Sequence, residues 1–428
     1  MTKIAGGKPL DYFLARQPIF KRDLTVFAYE LLFRSNPKEN SYTPESSEHI
    51  PNIAGYDRDD QSTSKVLINS YLAEDFKSFS QGKKVFINFT EHLIMDETPL
   101  IFPNETLVVE LLETIKPNQI LIEKCSNLKK KGYTMALDDY VHERDKGNPL
   151  LELVDILKVD FLDNSKKEIS QIARLYKNRP IELLAEKVES DEMFRFAKEE
   201  GFHYFQGYFF SKPTMVSGKS LHSDNKSFIL ILNELYNDDP DFDKISNIIQ
   251  SDVSLSYKLL RLVNSAAYYK TIEIKSIKQA TLMLGIKKLK NWTLLLMLVD
   301  AGKNKPAELV RASIIRGCLL ESISKHTPYR NMSSEFFLMG LFSMIGLIMD
   351  SPIGELLKDL PLSDFVKAAL MGQDNPYKKI FDIVLLYEKA DFEKVYRFAS
   401  EMNIPSEVIT KYYRDSITFA HEVFESQS

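Results

Sequence analysis

A row of polar side chains, each at or near the end of a short apolar run, constrains this chain more than any other feature. Glu30 closes TVFAYE, Asn88 follows VFI, and Glu110 follows LVV. Asp138 and Asp139 follow TMAL, Lys158 sits in DILKVD, Glu186 in ELLAE, and Gln206 in FHYFQG. From Asn88 onward, the steps to Glu110, Asp138, Lys158, Glu186 and Gln206 are 22, 28, 20, 28 and 20 residues. Each step is about the length of one strand-plus-helix unit. A (β/α) barrel builds a site in this way, because its inner strands run apolar and their C-terminal ends turn polar around one mouth. The first half is therefore expected to be an α/β barrel of the TIM type. Oxygen ligands and a lysine converging at that mouth suit hard divalent cations and a phosphate ester.

A chain of 428 residues has room for two or three domains. Its net charge of -5 and pI near 5.9 argue against broad nucleic-acid binding by bulk electrostatics, and no direct nucleic-acid partner is expected. The two cysteines, Cys125 and Cys318, lie far apart and outside any CxxC spacing. They read as small core residues in a reducing cytoplasm, which is the expected location. The opening MTKIAGGKPL is too polar for an export signal. The longest apolar stretch, FFLMGLFSMIGLIM at 336–349, falls short of the ~20 residues a span requires. It is expected to be a buried helix, with no membrane partner.

Strand candidates at 85–89, 107–111, 134–137, 156–159 and 182–185 alternate with polar, amphipathic stretches such as KPNQILIEKCSNLKKKG, where Gly132 suits a helix C-cap. This alternation implies a parallel sheet. Residues 214–226 carry Ser, Gly and Asn and look like a linker. Beyond them, apolar residues fall at three- and four-residue steps, as at Leu255, Leu259, Leu262 and Val263. The second half is thus expected to be an all-helical bundle. The division drawn from this pattern is 1–215, a linker at 216–226, and 227–428.

Two-metal phosphodiester hydrolysis needs several carboxylates close together, holding cations that lower the pKa of a bound water. A lysine such as Lys158 can balance charge on phosphate oxygens. The forked guanidinium of Arg34 can bond two phosphate oxygens at once. ARQPIF, YELLFR, VFINF, VVELLE, ALDDY, ILKVD, LLAEKVE and FQGYFFSKP, taken in order, resemble the EAL domain, a family of bacterial phosphodiesterases that open cyclic di-GMP to the linear dinucleotide pGpG. The resemblance spans roughly 10–215. It implies Mg²⁺ or Mn²⁺ in a two-metal site, with Glu30, Asn88, Glu110, Asp138 and Asp139 as ligands. Lys158 matches the lysine that touches the metal-bound water or phosphate. Glu186 and Glu189 match the two glutamates of the family's AEGVE stretch. Gln206 matches the glutamine that orients the water, and Gln17 and Arg34 would face the substrate.

Two departures stand out. The family continues from its aspartate pair as FGTGYSS, where this chain reads YVHERDKGN, and the glycine of AEGVE is Lys187. Shorter intervals around Asn88 to Glu110 and Lys158 to Glu186 point to a trimmed barrel. An active phosphodiesterase and an inactive cyclic di-GMP receptor or scaffold both stay open. Lys187 and the Lys129–Lys131 run read as exposed helix-end or loop charges, His142 as solvent-facing, and His203 as a core or rim histidine.

In the second half, IIQSDVSLSYKLLRLVNSAAYY and IKSIKQATLMLGIKKLKNW resemble the HDOD domain, an all-helical relative of HD-type metal phosphohydrolases. Ile277, Ala280 and Leu284 form an apolar face there, Gly285 a turn, and Trp292 a core residue. Where HD enzymes carry a His-Asp pair within GLLHDIG, this chain reads GLFSMIG, with Ser343 and Met344 in its place. Neither supplies the ligands of metal hydrolysis. The resemblance therefore implies a non-catalytic interaction module with an unidentified protein partner, and it leaves room for a homodimer. Asn264 and Ser265 read as a helix-turn cap, and 237–243 as a solvated turn that starts the next helix.

Overall fold

The computed structural model describes residues 12–35, 76, 79–207, 226–237, 239–263, 274, 276–302, 305–349, 351–358, 360 and 362–425. The linker expected at 216–226 lies outside these residues except for Lys226, as do Asn264, Ser265 and the YFFSKP end of the eighth motif. The chain divides into two compact units. The first comprises Met1–Lys212 with Leu385–Ser400 and Pro405–Thr410, and the second the remainder.

The first unit is a closed barrel of eight strands in sequence order. They are β1 (Tyr12–Lys21), β2 (Val26–Ser35), β3 (Lys84–Phe89), β4 (Leu107–Leu111), β5 (Thr134–Tyr140), β6 (Ile156–Asp160), β7 (Glu182–Glu186) and β8 (Tyr204–Gln206). From β2 to β8 every neighbouring pair is parallel. The all-parallel expectation fails at β1, which runs antiparallel to both β2 and β8. Only residues 22–25 separate β1 from β2, and a connection that short can join only antiparallel strands. Of the two intervals expected to be short, Asn88 to Glu110 is crossed by only a five-residue helix and a 3₁₀ turn between β3 and β4. Lys158 to Glu186, by contrast, carries the 11-residue helix Lys166–Tyr176 between β6 and β7. The barrel keeps all eight strands, so it is not trimmed there.

Longer crossovers carry the local signals of helices. Ser165 caps Lys166–Tyr176 in a reciprocal box with Glu168, satisfying two amide donors that the helix start leaves open. Gly201 ends Asp191–Glu200 in the left-handed conformation that a helix stop favours. Inside the barrel, Ile19, Ala28, Phe86, Val108, Ala136, Ile156, Leu184 and Tyr204, one from each strand, pack as a continuous apolar layer. That layer is a floor, and Phe27 stacks on Tyr204 at 3.9 Å beside it.

The C-terminal segment of this unit packs on β1. Tyr387 donates its hydroxyl to the Leu14 carbonyl at 2.7 Å and accepts from the Leu14 amide at 3.4 Å. Phe392 stacks on Phe13 with ring centroids 5.3 Å apart.

The second unit is helical throughout its described residues. Leu255, Leu259 and Val263 are buried, as their spacing predicts. Ile277, Ala280, Leu284 and Trp292 are buried as well. Gly285, at φ +70 and ψ 171, breaks the helix Ile277–Ala301 into two, the turn expected there. The stretch Arg330–Ile348 has the length and hydropathy of a membrane span. It is divided into a 3₁₀ turn, the helix Ser333–Phe342 and the helix Ile345–Ile348. Phe336, Met339 and Leu341 within it are fully buried.

Helices Ala307–Ser324 and Ser333–Phe342 cross through Gly317 and Gly340. A Cβ at Gly340 would lie 2.4 Å from the Gly317 nitrogen and 2.5 Å from the Arg316 carbonyl carbon. Backbone cannot yield as a side chain can, so Gly340→Ala is expected to destabilise the chain by about 3 kcal/mol. The check is thermal denaturation of the full chain. An unchanged transition would mean that this crossing is not close-packed.

Candidate active site

The site follows from the floor by strand geometry alone. Side chains two residues apart on a strand point the same way. Two residues beyond Ala28, Phe86, Val108, Ala136, Ile156, Leu184 and Tyr204 stand Glu30, Asn88, Glu110, Asp138, Lys158, Glu186 and Gln206. On the reversed β1 the same step runs backward, from Ile19 to Gln17. Eight strands thus add one polar layer directly above one apolar layer, and eight of the expected site residues form it. Each of the seven from β2 to β8 is buried.

Lys158 is the centre of the layer. Its Nζ donates to Asp138 Oδ1 at 2.7 Å, Glu186 Oε1 at 2.8 Å and Glu30 Oε2 at 3.4 Å, and also to Glu110 Oε1. Gln206 Nε2 donates to Glu30 Oε2 at 2.6 Å and to Gln17 Oε1 at 3.2 Å. Asn88 Nδ2 donates to Glu30 Oε1 at 3.4 Å. Four carboxylates against one ammonium leave three negative charges uncompensated if all are ionised. Burial does most to push Glu110 well above the ordinary carboxylate range, and the charge of Glu30 adds to it against the pull of Lys158. Burial likewise raises Glu186, with Asp138, Asp139 and Glu30 adding and Lys158 opposing. For Lys158 burial works against the proton, but the four carboxylates outweigh it and hold the ammonium well above its usual range.

Asp139 reaches the site by a different route. Pairing between β5 and β6 shifts register between Leu137 and Tyr140, and Asp139 adopts φ +42. Such a bulge re-aims side chains that regular alternation would turn outward. Ligand atoms of Glu113, Asp138 and Asp139 come within 4.8 Å of one another. Burial first, then the charge of Asp138, raises the Asp139 carboxyl to about 6.

The donor set fits a hard divalent cation. Asn88 Oδ1, Glu110 Oε2 and Glu186 Oε2 are buried and accept no hydrogen bond. A buried oxygen left so costs about 1–3 kcal/mol, a deficit that cation coordination removes. Asn88 and Glu110 are register partners on β3 and β4, so two of these oxygens belong to adjacent positions.

Above the layer lies a cavity of about 340 Å³, lined among others by Gln17, Glu30, Asp138, Glu189, Lys187 and Lys389. Glu189 is exposed at its edge. Arg34 lies on β2, and its side chain is outside the described residues. Gly207, at φ +144, lets the end of β8 close on the loop after β7, since a Cβ there would meet the Val188 oxygen at 2.1 Å.

Lys187 is exposed in the loop after β7, as expected, and in addition its ammonium binds Asp139 Oδ1 at 3.0 Å and also Asp160. His142 is half-buried, with Nδ1 3.3 Å from the Tyr140 hydroxyl. His203 is exposed just before β8, at the end of the barrel opposite the polar layer, its Nδ1 accepting from the Leu183 amide at 3.1 Å. Glu113, Asp160 and Lys389 are additional members of the neighbourhood. Glu113 and Asp160 lie inside the motifs VVELLE and ILKVD, where a charge near a strand end was the available signal. Lys389 has no such signal.

A family model for the EAL domain matches residues 11–213, and one for the HDOD domain matches 221–353. The chain is 34% identical over 422 residues to the uncharacterized protein YuxH of Bacillus subtilis, covering 97% of this chain and 99% of that one. The chain belongs to the EAL–HDOD family. This EAL–HDOD chain is also 31% identical over 397 residues to the cyclic di-GMP phosphodiesterase CdgJ of Vibrio cholerae, covering 92% of this chain and 89% of that one. Among solved structures it matches the manganese and cyclic di-GMP complex of Klebsiella pneumoniae BlrP1. That match is 19% identical with a TM-score of 0.37, over 47% of this chain and 56% of that one. In the HDOD half, Ser343 Oγ accepts from Arg316 Nη1 at 3.1 Å, so a cation already faces the position where HD enzymes hold metal ligands.

Proposed function

We propose that the EAL–HDOD chain is a cytoplasmic signalling enzyme that hydrolyses cyclic di-GMP to pGpG. The observation that carries this reading is the closed polar layer above the apolar floor, with its buried, unpartnered oxygens. The relation to CdgJ supports the substrate. In the reaction, water adds to one phosphorus, the P–O3′ bond breaks, and the 3′-oxygen leaves with a proton. Mg²⁺ or Mn²⁺, held by Glu30, Asn88, Glu110, Asp138 and Asp139, would supply positive charge to the phosphate and an acidified water. Lys158 neutralises charge on the phosphate oxygens. Glu186 fixes Lys158 through its 2.8 Å contact. Gln206, already bonded to Glu30 and Gln17, orients the water, while Gln17 and Arg34 position the dinucleotide, and Glu189 supports the rim. The HDOD half passes the state of the barrel to a protein partner without chemistry of its own.

One observation favours a receptor instead: Lys187 already occupies Asp139. The two readings part on turnover of cyclic di-GMP by the purified full chain with Mg²⁺ or Mn²⁺. Linear product from wild type, lost in Glu30→Ala, is the expected result. Saturable binding without product would make the barrel a receptor.

A further inference from the structure

Lys187 stands where the family's pattern has glycine, and its backbone retains the glycine conformation, at φ +52. Side-chain-bearing residues adopt that region at a cost. Here the side chain gains two carboxylate partners in return. Asp160, fully buried, is held in place because its Oδ1 accepts from the backbone amides of Leu162 at 2.6 Å and Asp163 at 2.8 Å. Its Oδ2 takes the Lys187 ammonium. A fixed carboxylate therefore anchors the ammonium from one side and sets it 3.0 Å from Asp139 Oδ1 on the other.

The site thus has two unlike ends. At the inner end, Asn88 Oδ1, Glu110 Oε2 and Glu186 Oε2 are buried and unpartnered. At the mouth, Asp139 already has a cation bonded to it. A divalent ion entering there would have to displace Lys187 and then sit beside the displaced ammonium.

We propose that Lys187 is a tethered cation that takes the place of one divalent ion at the Asp139 end, so that this chain holds a single tightly bound divalent ion on its inner oxygens. The inference rests on the divalent-cation reading of the site above, but not on turnover. It makes Lys187 a residue that sets metal stoichiometry, and Asp160 the residue that positions it.

The test is titration of the full metal-free chain with Mn²⁺ alone, by calorimetry and by electron paramagnetic resonance, for wild type, Lys187→Gly and Lys187→Asn. Glycine relieves the left-handed backbone, and asparagine tolerates it, so both variants are expected to fold. Wild type should take one ion with an uncoupled Mn²⁺ signal. Both variants should take a second, about 10- to 100-fold tighter than any second ion in wild type, with spin coupling between the two. Two ions of equal affinity in wild type and variants would overturn the inference and leave the metal reading intact. So would a single ion in all three proteins. No Mn²⁺ bound by any of them would overturn the metal reading itself, and this inference with it.

Discussion

Lys158→Met in the metal-free chain is expected to lose about 3–5 kcal/mol of stability at neutral pH, the usual cost of removing one partner from a buried ion pair. Methionine keeps most of the volume and none of the charge. Glu30, Glu110, Asp138 and Glu186 would then surround a neutral side chain, with Glu110 and Glu186 almost wholly sealed from water. The carboxylates can respond only by taking up protons or by letting the barrel open. The loss should therefore shrink at pH 5, where protonation is cheap, and shrink again when Mn²⁺ is added at neutral pH. Urea denaturation of the full chain at the two pH values, with and without Mn²⁺, reads all three. A variant as stable as wild type at neutral pH without metal would mean that Lys158 does not carry the charge balance of the layer.

Divalent-metal affinity should fall at least about tenfold per pH unit below pH 6, because at least one proton leaves for each ion bound. Glu110 and Glu186 are raised chiefly by burial, and Asp139 to about 6 by burial and then Asp138. A raised carboxylate holds its proton in the folded, metal-free chain after the unfolded chain has lost it. For Asp139 this window runs from the ordinary 3.8 to about 6. Stability of the metal-free chain should accordingly fall as pH rises through it, and saturating Mn²⁺ should reverse that slope. Calorimetric titration in buffers of different ionisation heat counts the protons directly. Metal binding without proton release would contradict the buried, protonated state assigned to these carboxylates.

How much of this was legible depends on which periodicity carried it. The polar layer could be read because strand alternation and the β/α unit are both regular. A polar residue at each strand end from Asn88 to Gln206 repeats at steps of 20 to 28 residues, and the structure sets those residues in one ring. Features that break alternation were hidden. The direction of β1 depends on the short turn at residues 22–25, whose effect on the barrel needs β8 to be in place. The role of Asp139 depends on a bulge, which adds one residue to a strand without changing its composition. Lys187 is the surface charge it reads as, but its pairing with Asp139 and the buried Asp160 was hidden. The HDOD helices announced themselves by three- and four-residue steps, but nothing in those steps reveals that Tyr387 and Phe392 pack on Leu14 and Phe13.

That last pairing has a consequence for biosynthesis. The strand β8 ends at Gln206, yet the segment that covers Phe13 and brings Lys389 to the cavity begins at Leu385. On a ribosome adding about 5–20 residues per second, the intervening stretch delays completion of the barrel unit by roughly 10–35 s. During that interval a nascent barrel exposes an aromatic surface on its first strand. A chain terminated before this segment lacks both the cover and one wall of the cavity. Completeness of the cavity wall is thereby tied to completion of translation, and an abortive fragment would be marked for chaperones by the same exposed ring of Phe13 that the finished chain hides.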